Sequence, residues 1–378
     1  MSQVPENIFA PALSAIAAIW LLLCSPGCVQ EKSSAYWQLS DYQQMYLLDS
    51  AAAALQVVED EADDFFRQIG KLDMSLQLGR QFPDTVSREA VLRLYRRALQ
   101  SEVSHFDEAE QQLLSELMAE ITPLCNQLSP ALLPEVLNFI KIKGTLYGPG
   151  VYYTRENNIM IPADQLNNAN KEVLRRIIVH EIFHVYSRYH PKQREKLYSL
   201  IGFNPLGVDS LVMADSLRLR RLLNPDGVDC TYAVRLRTPW GGWVEAVPLL
   251  FAREWQPGAD HKQYGDNMEF DLFRTQRQND GSYAVVSTTA GLPPFSLLKE
   301  TDLYRQIGDN TTYIIHPDEI MADNVALLVL SNSGRDEYNP ARLSERGRRL
   351  QRDIARVLRA DARTIKKIKP KGHGAADR

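Results

Sequence analysis

Two histidines and a glutamate stand at fixed offsets in the stretch His180-Glu181-Ile182-Phe183-His184. On an α-helix, residues four apart lie on one face, one turn above each other. Two imidazoles at that spacing can bind one Zn²⁺ ion at about 2.0–2.1 Å. Glu181 lies beside them and can reach a water molecule as a general base. The pattern therefore predicts a helix over residues 180–184 and a metal site on that helix.

The surrounding residues predict that this helix is largely buried. Apolar residues recur at three- and four-residue intervals, namely Val173, Leu174, Ile177, Ile178, Ile182 and Val185. Asn167 and Asn168 are plausible N-caps, and Pro191 ends the pattern. Buried histidines beside a buried glutamate need partners, because unpaired polar groups in the interior cost free energy. The context therefore favours a metal site over two surface histidines.

Two short strands, 151–154 and 158–161, are predicted before the helix, around a turn at 155–157. With the H-E-x-x-H motif, this part of the chain resembles the zincin metallopeptidases over residues 150–190 and, more weakly, near 319. In such enzymes an edge strand pairs with an extended peptide substrate and holds it over the metal. The resemblance implies a small sheet, a metal-binding helix and a second ligand helix. It also implies a zinc-dependent peptidase acting on a peptide or protein.

One candidate for the third metal ligand is Glu319. Pro317 follows a β-like run at 313–315 and suits the first position of a helix, on which Glu319 and Asp323 lie four apart on one face. This arrangement looks like the second zinc helix of the gluzincins, which include thermolysin. The resemblance implies that Glu319 ligates zinc and that Asp323 orients a ligating imidazole. The 134 residues at 185–318 would then form a subdomain between the two helices.

The other candidate is His190, which gives the metzincin spacing H-E-x-x-H-x-x-G-x-x-H with Ser187 in place of glycine. A continuing helix would carry residue 190 about 9 Å along the axis and off the ligand face. The helix would have to break there, usually through a left-handed residue, which serine adopts at a cost of about 1 kcal/mol. Glu319 is therefore the favoured third ligand, and His190 is the metzincin alternative.

Peptide hydrolysis by this site would use His180 and His184 as ligands and Glu181 as the general base, with a further donor for the oxyanion. Tyr313, His316 and Tyr186 are the donors nearest in sequence. A non-catalytic, exported protein that uses zinc only for stability is the alternative from another class. The intact Glu181 speaks against it, because a purely structural site has no need of a base there.

Apolar periodicity and turn residues predict an α+β chain in several parts. Residues 29–143 read as a helical region, and the glycine-rich loop 144–150 marks a domain boundary. A zincin-like catalytic domain is expected over 144–340, with a β-rich insertion at about 230–312. A C-terminal helix and a basic tail complete the chain at 341–378. The Asn224-Pro225-Asp226-Gly227 stretch reads as a turn, and no chemistry is assigned to it.

The N-terminus predicts export. Residues 8–24 carry no charge, and Ala12 to Leu23 form a 12-residue apolar run. That run is too short for a transmembrane helix and has the length of a secretory signal. The Ser-Pro-Gly that precedes Cys28 resembles a bacterial lipoprotein signal, which implies acylation of that cysteine. Residues 1–28 are therefore a signal-like segment, and the expected location is periplasmic or outer-membrane-associated, with membrane attachment through the N-terminus if Cys28 is lipidated.

The net charge bears on nucleic-acid binding, and the cysteine content bears on disulfides and metal sites. The formal net charge of −4 gives no electrostatic case for nucleic-acid binding. If the mature chain begins near Cys28, Cys125 and Cys230 remain. They could pair in an oxidising compartment or stay as buried thiols. No C-x-x-C pattern typical of a zinc or redox site occurs in the sequence.

Overall fold

Two six-stranded sheets and a set of packed helices make up the part of the chain that the computed structural model describes, residues 34–167, 170–252 and 264–368. Side chains are described as far as residue 361. All of these residues belong to one compact unit that begins at Ser34. The mixture of helices and two sheets agrees with the predicted α+β class at this coarse level.

The first sheet contains both parallel and antiparallel pairs. Its strands are β1 (Ala35–Ser40), β2 (Gln43–Leu47), β3 (Val103–Ser104), β4 (Val136–Ile142), β5 (Tyr153–Arg155) and β6 (Asn158–Pro162). The order is β1-β2-β4-β6-β5, and β3 pairs with one end of β4. β4 is parallel to both β2 and β6, whereas β5 is antiparallel to β6. The short strand β5 therefore forms one edge of this sheet.

The second sheet is antiparallel throughout its named pairs. Its strands are β7 (Phe203–Pro205), β8 (Arg221–Leu222), β9 (Tyr232–Arg237), β10 (Trp243–Ala252), β11 (Met268–Arg277) and β12 (Tyr283–Val285). They follow the order β12-β11-β10-β9-β7, and β8 pairs with β10. The last four strands lie where alternating apolar residues predict a β-rich segment.

The helices surround these sheets. Their bounds are α1 (Ser50–Gln56), α2 (Phe65–Gln68), α3 (Lys71–Gln77), α4 (Arg88–Glu102), α5 (Glu108–Leu128), α6 (Lys171–Tyr189), α7 (Pro191–Leu200), α8 (Asp215–Arg218), α9 (Leu297–Glu300), α10 (Leu303–Gln306), α11 (Pro317–Leu330) and α12 (Glu345–Ile368). α6 and α11, the two helices expected to carry metal ligands, pack against each other. Their contact surface belongs to the largest apolar cluster of the unit.

The structure corrects the interpretation of residues 29–143 as purely helical. This segment contributes four strands, β1 to β4, to the first sheet. The sequence predicts a helix where β4 lies, because a short buried apolar run has no period that separates helix from strand. The loop 144–150 also does not divide the chain, since β4 and β6 on its two sides are direct neighbours in one sheet.

Burial explains why α6 and α11 hold their positions. Ile178 and Ile182 of α6 and Ile320 and Val325 of α11 are each 0% exposed. Full burial of such a side chain contributes about 1.5–3 kcal/mol. The N-cap of α6 is Asn170, whose side chain accepts bonds from two backbone N–H groups of the first turn. The cap thus lies two or three residues later than the sequence predicts.

The features that bear on export are mostly outside the described residues. The signal-like segment 1–28 and residues 369–378 of the basic tail belong to that part of the chain, so export and acylation of Cys28 stay predictions. Within the described ranges, no helix is both long and apolar enough to cross a membrane. Cys125 and Cys230 are free thiols, and burial raises the pKa of Cys125 to about 12.

Candidate metal centre

Helix α6 carries the two histidines and the glutamate into the interior. It runs without a break from Lys171 to Tyr189, as the apolar periodicity predicts. His180, Glu181 and His184 are 8%, 4% and 1% exposed. The imidazole rings lie side by side, with centroids 4.7 Å apart and planes at 76°.

Glu319 of α11 meets both histidines. Its Oε2 lies 3.0 Å from Nε2 of His180 and 3.3 Å from Nε2 of His184. Pro317 occupies the first position of α11, so the helix begins at the predicted residue. All strands of the second sheet lie between α6 and α11 in the sequence, yet the two helices pack together. Glu319, which is 1% exposed, therefore lies opposite the imidazole pair.

The Nδ1 atom of each histidine lies next to a carboxylate. Nδ1 of His180 lies 3.2 Å from Oδ1 of Asp323, and Nδ1 of His184 lies 2.6 Å from Oδ2 of Asp318. A carboxylate accepts a hydrogen bond from an N–H group, so this geometry places N–H on Nδ1 of each ring. Nε2 is then free to bind a metal or, without one, to carry a second proton towards Glu319. Asp323 lies where the resemblance to the gluzincins implies. The part played by Asp318 was not predicted, because an acidic residue in the first turn of a helix is ordinary.

The two orienting aspartates are themselves fixed by hydrogen bonds. Oδ1 of Asp318 accepts bonds from Ser187 Oγ at 2.5 Å and from Tyr198 OH at 2.6 Å. Asp323 accepts a bond from Thr311 Oγ1 and lies 3.1 Å from a guanidinium nitrogen of Arg176. Ser187, which stands at the glycine position of the metzincin pattern, therefore serves to hold Asp318.

The donor atoms fit a bound divalent metal. In a tetrahedral zinc site, donors about 2.0–2.1 Å from the ion lie about 3.3 Å from each other, close to the separations between Glu319 and the two imidazoles. Nε2 of His184 is buried and has no hydrogen-bond partner among the described residues, although Glu319 lies 3.3 Å away. Lone pairs that face a carboxylate in the interior are stabilised by a cation between them. His180, Glu181 and His184 together offer donor atoms within 4.8 Å of one another.

In the metal-free cluster the pKa values of Glu181 and His180 are both raised, so both groups hold their protons more tightly. Burial raises the pKa of Glu181 to about 8, and the nearby charge of Asp226 adds to this effect. Burial alone would lower the pKa of His180, but hydrogen bonds with Asp323 and Glu319 raise it to about 9. A bound metal would displace these protons, since metal and proton compete for the same lone pairs.

The three predicted oxyanion donors lie in different surroundings. The ring of Tyr313 stacks beside His180, with centroids 6.1 Å apart, and is 43% exposed. His316 instead caps α11, because its Nδ1 accepts a bond from the Asp318 N–H and its Nε2 donates to the carbonyl oxygen of Asp229. Tyr186 donates its hydroxyl to a carboxylate of α12. The structure therefore places Tyr313 beside His180, whereas backbone groups engage both ring nitrogens of His316, whose catalytic role stays a prediction.

His190 is not brought to the cluster. Helix α6 continues through Ser187, as the helical rise predicts, and His190 follows its last residue. Nδ1 of His190 lies 2.9 Å from the carbonyl oxygen of Tyr186, and the two rings stack with centroids 4.3 Å apart. The metzincin alternative therefore has no support in the arrangement of side chains.

The turn at 224–227, for which the sequence predicts no chemistry, lies at the site. Nδ2 of Asn224 donates to Oε1 of Glu319 at 2.6 Å. A carboxylate oxygen of Asp226, a nitrogen of His184 and an oxygen of Glu319 all lie within 4.8 Å of one another. Such turns are frequent in proteins, and nothing in the local sequence separates this one from a surface turn.

The comparisons with known proteins give no relatives for this arrangement. No protein-family model, no curated protein and no solved structure shows a significant match to the chain. The function must therefore be argued from the chemistry of the site.

Proposed function

We propose that this protein is a zinc-dependent peptidase of gluzincin-like design. One observation carries the proposal: Oε2 of Glu319 faces the Nε2 atoms of His180 and His184, while a carboxylate holds each Nδ1 from behind. Two imidazoles and one carboxylate, each fixed by outer partners, form the protein ligand set typical of catalytic zinc sites.

Zinc suits this donor set because borderline-soft nitrogen ligands and one carboxylate favour it over magnesium or calcium. A bound zinc ion would supply Lewis-acid chemistry, which acidifies water and polarises a carbonyl group. His180, His184 and Glu319 would hold the ion. Asp318 and Asp323 keep both imidazoles in the tautomer that can bind it.

Glu181 is the general base in this proposal. Its carboxylate is buried beside the ligands, and its Oε2 has no hydrogen-bond partner within the described ranges. Burial raises the pKa of Glu181 in the metal-free cluster, and a cation bound beside it would lower that pKa towards the range that suits a general base at neutral pH. Glu181 takes a proton from the water that attacks the scissile carbonyl and returns it to the departing amine.

Tyr313 is the proposed oxyanion donor, because it lies against His180 and remains partly open to solvent. An extended peptide would approach along the edge strand β5, which packs on α6. Tyr152, just before β5, lies near Glu181, whose charge adds to the burial that raises the pKa of the tyrosine. The substrate class that follows is a peptide or an extended segment of a protein.

Glu181→Gln tests this function. The amide keeps the shape of the side chain but is not basic, so hydrolysis of a fluorogenic peptide library should fall by about two to four orders of magnitude. Zinc content of the purified variant, measured by metal analysis, should stay near that of the wild type. Glu195→Gln, an exposed glutamate on α7, is the matched control and should retain full activity. Equal activity in the two variants would remove Glu181 from the mechanism.

A second candidate is a protein that binds zinc for stability alone. The deep burial of the ligands favours it, because structural sites are closed to solvent whereas catalytic ones keep an open position. This candidate predicts no hydrolysis in the wild type and a large loss of folding stability when zinc is removed. Hydrolysis by the wild type that Glu181→Gln abolishes would therefore favour the peptidase.

A further inference from the structure

The turn at 224–227 lies against the metal cluster, next to Glu319 and His184. Asn224 binds one oxygen of Glu319, and Asp226 brings a carboxylate to His184 and Glu319. Both hydrogen bonds from Thr154 to this carboxylate end on Oδ1, and Thr154 leaves Oδ2 without a bond. Nε2 of His184 is also buried, and it lacks a hydrogen-bond partner among the described residues.

The same turn covers the edge strand. Thr154 is the central residue of β5, and its N–H and hydroxyl donate to Asp226 at 2.6 Å each. The Thr154 N–H therefore points away from β6, as an edge donor does. An extended peptide that added to β5 would use this donor for one of its own carbonyl oxygens. Asp226 thus takes a hydrogen bond that the substrate backbone would otherwise receive.

A large cleft lies on the outer side of the turn. Its volume is about 1290 Å³, and its lining includes Asp226 and Gly227 of the turn together with Asp318 and His316 of α11. His180 and Glu181 are not part of this lining. The turn and the start of α11 therefore separate the cleft from the reactive face of the cluster. Movement of the turn into the cleft would open the cluster to a substrate.

We propose that Asp226 is a fourth protein ligand of the metal and that the turn at 224–227 occupies the place of the substrate. The closed arrangement is then a latent form of the peptidase, and hydrolysis requires withdrawal of this turn. The ligand assignment needs only a bound metal, whereas the latency rests on the proposed peptidase function. With Asp226, two histidines and two carboxylates would surround the metal, whereas a catalytic zinc site has three protein ligands and an open position.

The test is Asp226→Asn. The amide oxygen can still accept both bonds from Thr154, so the turn should fold, but the anionic ligand is lost. Zinc affinity, measured by competition with a chelator, should fall by about tenfold or more, the lower end of the effect of losing an outer partner. The visible absorption of the Co²⁺-substituted protein should change as well, because water replaces a carboxylate. Hydrolysis of a fluorogenic peptide library should rise above the wild-type rate, since the open fraction grows.

Asp229→Asn is a matched control from the same loop. Its Oδ1 accepts bonds from the N–H and hydroxyl of one threonine, Thr231, just as Asp226 does with Thr154. Zinc affinity, Co²⁺ spectrum and hydrolysis should all match the wild type in this control.

The outcomes separate the two proposals. Wild-type zinc affinity and an unchanged Co²⁺ spectrum in Asp226→Asn would overturn the ligand assignment and leave the peptidase proposal standing. Weaker zinc binding with slower hydrolysis would overturn latency, because Asp226 would then assist turnover. Weaker zinc binding in a protein whose wild type and variant hydrolyse no peptide would support the ligand assignment and defeat the peptidase proposal.

Discussion

At the scale of single residues, the third ligand is the sharpest prediction. Glu319→Ala should weaken zinc binding by several kcal/mol, or more than about a hundredfold, because it removes the anionic donor opposite both imidazoles. His190→Ala should leave zinc affinity nearly unchanged, since that ring stacks on Tyr186 outside the cluster. Chelator competition on the two purified variants measures both values. The reverse order would restore the metzincin alternative.

The site residues that geometry alone predicts from the sequence are those whose spacing is set by a helix. His180 and His184 on α6, and Glu319 and Asp323 on α11, lie four residues apart, and helical geometry alone places each pair on one face. Asp226 has no such partner in sequence, because its place depends on how the loop between β8 and β9 folds onto α6 and β5. Local sequence carries no record of that tertiary contact.

At the scale of structural elements, the same limit applies to the first sheet. Long periodic helices such as α6 are visible in the sequence, whereas β1 and β2 form a short hairpin whose partner β4 lies about ninety residues later. Pairing at that distance is decided by burial of the whole sheet and not by local preference. The sequence alone therefore predicts helices in this region.

The position of the turn at 224–227 gives an element-scale prediction. A Cβ added at Gly227 would lie 2.2 Å from Nδ1 of His316, the ring that caps α11. Gly227→Ala should therefore shift the turn or the cap and destabilise the protein by about 1–3 kcal/mol, as overpacking does. Zinc affinity should fall too, because Asn224 contacts Glu319. Urea unfolding and chelator competition measure the two effects.

Gly265→Ala is the control for that experiment. An added Cβ at Gly265 meets no atom within 4 Å, so stability and zinc affinity should stay near the wild-type values. Equal behaviour of the two glycine variants would mean that the turn at 224–227 is free to rearrange without affecting the metal centre.

At the scale of the whole molecule, the pH dependence of stability should reveal the metal cluster. The folded, metal-free protein holds protons more tightly than the unfolded chain, because the pKa of His180 is raised from 6.5 to about 9 and that of Glu181 from 4.5 to about 8. The stabilisation from His180 is complete below pH 6.5 and is lost as pH rises through about 9. That of Glu181 is complete below pH 4.5 and is lost through about 8.

Both groups therefore act in the same direction, and the free energy of unfolding of the metal-free protein should fall as pH rises from about 5 to 9. His180 alone contributes about 3 kcal/mol to this decline. Bound zinc should remove most of this pH-dependent fall in the free energy of unfolding. A bound metal holds the same groups in their deprotonated forms, and its affinity rises with pH. Urea unfolding with a chelator and with excess zinc, at several pH values, gives the two curves. Parallel curves would show that the protons and the metal do not share one site.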